Sequence, residues 1–176
     1  MPTTYNAADE SVTDLADEVL ARSFPTLARV NLTVGCLLAH NPDGPAIKIA
    51  GHPVTDRVRI VSLKDRAAGL PDVQVIIDKT WWDEQDDDAR CRMFWRAFKH
   101  LQLVPASDKE EESGDHLHGY KIDDLGRPKL KFRPCDYMTS GFYGSVELFG
   151  EQSPEVAELR VIGAKVRELV QREFWG

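Results

Sequence analysis

The chain is expected to fold as an α+β domain, with a small, mostly antiparallel sheet packed on a central helix and further helices at both ends. Three observations predict this. The opening and closing segments carry apolar residues at three-and-four spacing, the stretch between them holds short β-textured runs divided by turn signals, and an acidic run marks the start of a central helix. At 176 residues and 42% apolar content, the chain is long enough for one substantial core, so residues 1–176 are read as a single domain without internal repeats.

The first helix carries Val12, Leu15, Ala16, Val19, Leu20 and Phe24 on one face, with Ser11 placed to cap it and Pro25 to end it. Strand texture follows at Val30–Leu38, Ala46–Ala50, Arg57–Leu63 and Val73–Ile77. Asn41-Pro-Asp-Gly44 and Gly69-Leu-Pro-Asp72 supply the turns. The central helix is expected to begin in Asp86-Asp87-Asp88, where carboxylates cap free amides and oppose the helix dipole. Its buried stripe is read as Met93, Phe94, Ala97, Leu101 and Val104, with His100 at the stripe's edge beside Arg96. Residues 107–119 are polar and aperiodic and are read as a flexible loop. Lys129–Arg133 alternates as a strand would, a helix is expected through Tyr137–Phe149, and Ser153-Pro154-Glu155 opens a last helix over 153–173.

Composition narrows the function classes. A net charge of −7 argues against indiscriminate binding to phosphate backbones, leaving Arg127, Lys129, Lys131 and Arg133 as a local basic patch through which nucleic acid would bind, with Arg90, Arg92 and Arg96 in support. No apolar run is long enough to cross a bilayer and no charged-then-apolar leader opens the chain, so a cytoplasmic protein without a membrane partner is expected. Cys36, Cys91 and Cys135 are odd in number and widely spaced, which suggests neither a disulfide framework nor a zinc ribbon.

The run Gly51-His-Pro-Val54, then Arg57-Val-Arg-Ile-Val-Ser-Leu-Lys-Asp-Arg66-Ala-Ala-Gly69, Val75-Ile-Ile-Asp78 and Trp82-Asp83 resembles the strands and loop of a phage-type metallopeptidase family with a zincin-like fold. Asp123-Asp-Leu-Gly-Arg-Pro-Lys-Leu-Lys-Phe-Arg133-Pro-Cys-Asp136 and Gly150-Glu-Gln-Ser-Pro-Glu155 are similar to that family's closing segment. The resemblance covers residues 30–155 or so. It implies a His-Glu-x-x-His helix, whose two imidazoles hold zinc and whose glutamate is the general base. Those positions read Arg96, Ala97 and His100 here, and the third expected ligand is replaced by Cys135, ahead of Asp136.

Arginine stays protonated and donates no lone pair, and alanine moves no proton. The resemblance therefore implies a pseudoenzyme, a zincin-like framework without peptidase chemistry that binds or scaffolds a protein segment along a sheet edge beside the central helix. No catalytic residue and no cofactor are assigned; zinc, if bound, would use His100 and Cys135. A vestigial site of Arg96, Ala97, His100, Cys135 and Asp136 is expected, with Arg96 paired to Asp136. Two readings stand beside it: a residual metal- or thiol-dependent hydrolase using His100 and Cys135, and a nucleic-acid-binding protein. His116 and His118 could rebuild a metal site, although their surroundings suggest a loop. Glu110, Glu111 and Glu112 are read as solvating residues, and Trp81 and Trp82 as packing anchors.

Overall fold

A computed structural model describes residues 2–133, 150–152 and 154–175. The chain divides into two compact units, Met1–Arg133 and Pro134–Gly176.

In the first unit, β1 (Thr4–Ala7) leads into α1 (Glu10–Ser23), α2 (Pro25–Arg29) and β2 (Val34–His40). A short hairpin, β3 (Lys48–Ile49) and β4 (His52–Pro53), precedes β5 (Asp56–Ile60), α3 (Leu63–Ala67), β6 (Val73–Asp78) and α4 (Lys79–Glu84). The central helix α5 (Asp87–Lys99) is followed by β7 (Leu101–Leu103), α6 (Asp108–Ser113), the hairpin β8 (His116–Leu117) and β9 (Tyr120–Lys121), and β10 (Leu130–Phe132). The main sheet has the order β1-β2-β6-β5; β2 and β6 run parallel, and the two outer pairs are antiparallel. This is an α+β unit with a small mixed sheet.

The core lies between one sheet face and the pair α1 and α5. Val12, Ala16 and Val19 of α1 and Met93, Phe94, Ala97 and Phe98 of α5 are buried with Cys36, Val73, Val75 and Ile77 of the strands. Phe94 and Phe98 stack at 5.9 Å, while Trp82 meets Phe94 and Phe24 meets Phe98 edge-on at 5.9 and 6.0 Å. Truncating either central phenylalanine to alanine removes about 3–5 kcal/mol by transfer and cavity costs.

The acidic start of α5 is as expected: Asp86 accepts from the Ala89 amide at 2.7 Å, with Asp87 and Asp88 in the first turn. Several other expectations are corrected. The cap of α1 is Asp9, which accepts from the Val12 amide at 3.2 Å, whereas Ser11 lies inside the helix and donates to Asp9. Pro25 opens α2 at its first position, where its missing amide hydrogen costs nothing. The strand expected from Val30 begins only at Val34, because Asn31 takes a left-handed conformation (φ 52°). Ser62 leaves the strand to cap α3 through the Asp65 amide, so Leu63 is helical.

Leu101 and Val104 do not continue the stripe of α5. The helix ends at Lys99 with His100 as its cap, Phe98 completes the stripe, and Leu101–Leu103 pairs antiparallel with β10. The pairing supports the expected strand near Lys129–Arg133. Residues 107–119 are not an aperiodic loop but α6 and most of a hairpin. The Glu110 carboxylate accepts from both the amide (2.8 Å) and the hydroxyl (2.6 Å) of Ser107, tying off the helix start. His118 and Gly119, both at positive φ, form the hairpin turn.

In the second unit, a 3₁₀ turn (Gly150–Gln152) precedes α7 (Pro154–Trp175), where Pro154 opens the helix as expected. The helix expected through Tyr137–Phe149 lies outside the described residues. No helix among the described residues is long and apolar enough to cross a membrane.

Candidate functional site

β5 forms one edge of the main sheet among the described residues, and its outer side can be read from the ladder. The Val61 amide donates to the Asp72 carbonyl and the Asp78 amide to the Thr55 carbonyl, both at 2.9 Å, at the two ends of a register running from Asp56↔Ile77 to Ile60↔Val73. Antiparallel bonding alternates every second residue, so Arg57 and Arg59 bond to β6 and the amides and carbonyls of Asp56, Val58 and Ile60 point outward. Among the described residues no strand pairs with that side.

The C-terminal turn of α5 stands over this edge. Between them lies a groove of about 570 Å³, lined by Pro53, Val54, Thr55, Asp56, Arg57, Val58, Arg96 and His100, together with Ile49 and Phe132. A second cavity of about 450 Å³ shares Pro53, Val54 and Thr55 with it and continues towards Asn41, Asp78 and Trp81.

Arg96 and His100 therefore face one groove, as neighbours one helical turn apart must when the intervening Ala97 and Phe98 point into the core. The Arg96 guanidinium pairs with the Asp56 carboxylate and donates to Thr55 Oγ1 at 2.9 Å, while that hydroxyl donates to Asp56 at 2.8 Å. The arginine side chain is 57% exposed and the aspartate 7%, so the pair closes the groove wall more than it stabilises the fold, contributing about 0–1 kcal/mol. His100 is half-buried; its carbonyl accepts from the Arg133 amide at 2.7 Å, fixing the start of β7 against the end of β10.

Cys135 and Asp136 lie outside the described residues, as does the expected pairing of Arg96 with Asp136; the partner of Arg96 seen here is Asp56. One imidazole and one guanidinium do not form a zinc donor set, so the described residues at these helix positions do not fit the metal. His116 Nδ1 faces the Gly119 amide at 3.2 Å and His118 Nδ1 the Arg29 guanidinium at 3.3 Å. Among the described residues no three His, Cys, Asp or Glu side chains converge.

The motif residues nearer the middle of the chain do something else. Asp72, 1% exposed, accepts from the amide and hydroxyl of Thr33 (2.9 and 2.8 Å) and from Arg127 Nε (2.8 Å), with Arg66 Nη1 at 3.5 Å. Arg66 also reaches Asp123 at 2.8 Å, and Asp123 in turn accepts from the amides of Leu125 and Arg127. The Asp123-Asp-Leu-Gly-Arg127 run thus locks the 122–128 turn onto the sheet through Asp123 and Arg127, in a largely buried ionic network. Arg127 belongs to that network and also donates to the Leu70 carbonyl at 3.2 Å, whereas Lys129 and Lys131 are exposed.

Arg90 is similarly engaged. It donates to the Trp82 carbonyl and lies over the Trp82 ring at 4.8 Å, and Trp82 is a core anchor, as expected. Trp81 also packs against the core, partly buried, and lines the second cavity. Burial pushes the Cys36 thiol up to about 12, with Asp17 adding to the effect, so that sulfur carries no nucleophilic chemistry.

Sequence reasoning expected a sheet edge beside the central helix but did not identify β5 as that edge. The signal lay in Arg57 and Arg59, two charges on one face of a strand, a common device of exposed edges. No protein-family model, no curated protein and no solved structure matches this chain.

Proposed function

We propose that the chain is a zincin-like protein without peptidase chemistry, which binds an extended protein segment along the outer side of β5. The observation that supports this most is the groove: outward amides and carbonyls at Asp56, Val58 and Ile60 lie beneath the same helix turn that carries Arg96 and His100. A segment entering as an added strand takes up the backbone groups that no described strand pairs, which supply affinity whatever its sequence, and its side chains meet the helix and hairpin walls.

At the helix, Arg96 is held by Asp56 and Thr55, an arrangement that converts a former ligand position into an ion pair. Ala97 sits in the core, where it can neither accept nor deliver a proton. The residual hydrolase reading would need His100 to act with Cys135, and the nucleic-acid reading loses Arg127 to the network around Asp72. Both are weaker than the peptide-binding reading on the groove's geometry.

Two measurements test the proposal. Elemental analysis of the untagged protein after brief chelation and dialysis is expected to give far less than one zinc per chain. Stoichiometric zinc, together with proteolysis that is lost in His100→Ala, would overturn the pseudoenzyme. A short capped β-forming peptide is expected to shift the amide resonances of Asp56, Val58 and Ile60 ahead of all others, and shifts confined to another surface would remove the edge.

A further inference from the structure

The β5 edge also carries a chemical preference, and the inference drawn from it rests on the edge-binding reading above. β5 reads Asp56-Arg-Val-Arg-Ile60 and divides by face: Val58 and Ile60 pack against the core, and Arg57 and Arg59 are exposed on the opposite face. Arg59 lies 3.3 Å from Asp65, while Arg57 makes no ion pair among the described residues. The groove beside β5 is also lined by Ile49 and Phe132, each 51% exposed although apolar. One face of the edge is thus cationic, and the other carries Val58 and Ile60 beside the paired Asp56 and Arg96.

An added strand alternates its side chains across the same two faces, and residues opposite one another on neighbouring strands stand close enough for charge and packing to count. A second copy of β5 is a poor occupant, because pairing two such edges brings arginine faces together. We infer that the bound segment belongs to a partner protein and alternates acidic with apolar residues. Its carboxylates lie opposite Arg57 and Arg59, and its apolar side chains cover Val58, Ile49 and Phe132. The period is set by the strand and the sign of the charge by the two arginines.

Three capped pentapeptides test this on the full chain: Val-Glu-Val-Glu-Val and its counterparts with glutamine or lysine in place of glutamate, each followed by amide chemical shifts. Each opposed charge pair is expected to change affinity about two- to fivefold, so the glutamate peptide should bind about tenfold more tightly than the lysine peptide. Arg57→Glu is expected to abolish or reverse that preference, and Arg57→Gln to leave it intermediate; Arg57 is exposed, so both variants retain the fold. If all three peptides bind equally at Asp56, Val58 and Ile60, the charge preference is wrong and the edge reading stands. A glutamate preference indifferent to Arg57→Glu overturns the assignment to this face. Binding by none of the peptides, or only elsewhere, overturns both the preference and the edge.

Discussion

Replacing Asp72 with alanine removes a carboxylate that is 1% exposed and that accepts from the Thr33 amide, the Thr33 hydroxyl and Arg127, with Arg66 close by. Breaking a buried ion pair from one side costs about 3–5 kcal/mol, mainly because the other charge stays desolvated. Two features reduce the cost here. Arg127 is 26% exposed and can rehydrate, and Arg66 keeps Asp123 at 2.8 Å, so the lower end, about 3 kcal/mol, is expected. With a urea dependence of about 2 kcal/mol per molar, the midpoint should fall by about 1.5 M. Near-UV circular dichroism of the buried Trp82 reports the transition in the first unit. A loss under about 0.5 kcal/mol, the range of ordinary surface substitutions, would refute the structural reading of the Asp123-to-Arg127 motif. An Arg127→Met variant and the double variant complete a cycle in which non-additive losses are expected.

Three further outcomes are expected. Ala50 turns the β3–β4 hairpin at φ 49°, a left-handed conformation costly for a residue with a Cβ, so Ala50→Gly should raise stability by about 1 kcal/mol in chemical denaturation. A Cβ on Gly35 would stand 2.7 Å from the Pro71 ring, and Gly35→Ala should lower stability by about 1–3 kcal/mol in the same assay. The Ser107 hydroxyl, then the Ser107 amide, then Lys121 hold the Glu110 carboxyl down to about 2. Its contribution to α6 is therefore complete above the ordinary glutamate value of 4.5 and is lost as pH falls through about 2. Side-chain carboxyl resonances should show this titration, and Ser107→Ala should move it upward.

The sequence alone determined those features whose causes lie within a few residues. Asp86 caps α5 because its carboxylate reaches an amide three residues on, Pro154 opens α7 because its fixed φ suits a first turn, and the alternation around Val73–Ile77 reads as a strand in any context. Arg96 and His100 were placed beside one another by helical spacing before any neighbour was known. Tertiary structure decided the rest. Leu101 had the right spacing for α5 but became a strand residue because β10, some thirty positions on, offers it a ladder partner. Ser11 and Asp9 are both competent caps, and the position at which α1 starts against the core chose between them. That β5 is an edge depends on which strands pair with β6, and the network of Asp72, Arg66, Asp123 and Arg127 joins segments separated by more than fifty residues. Local hydrogen bonds and steric preferences are written at short range, whereas edges, grooves and buried ion pairs exist only once distant segments share a desolvated space.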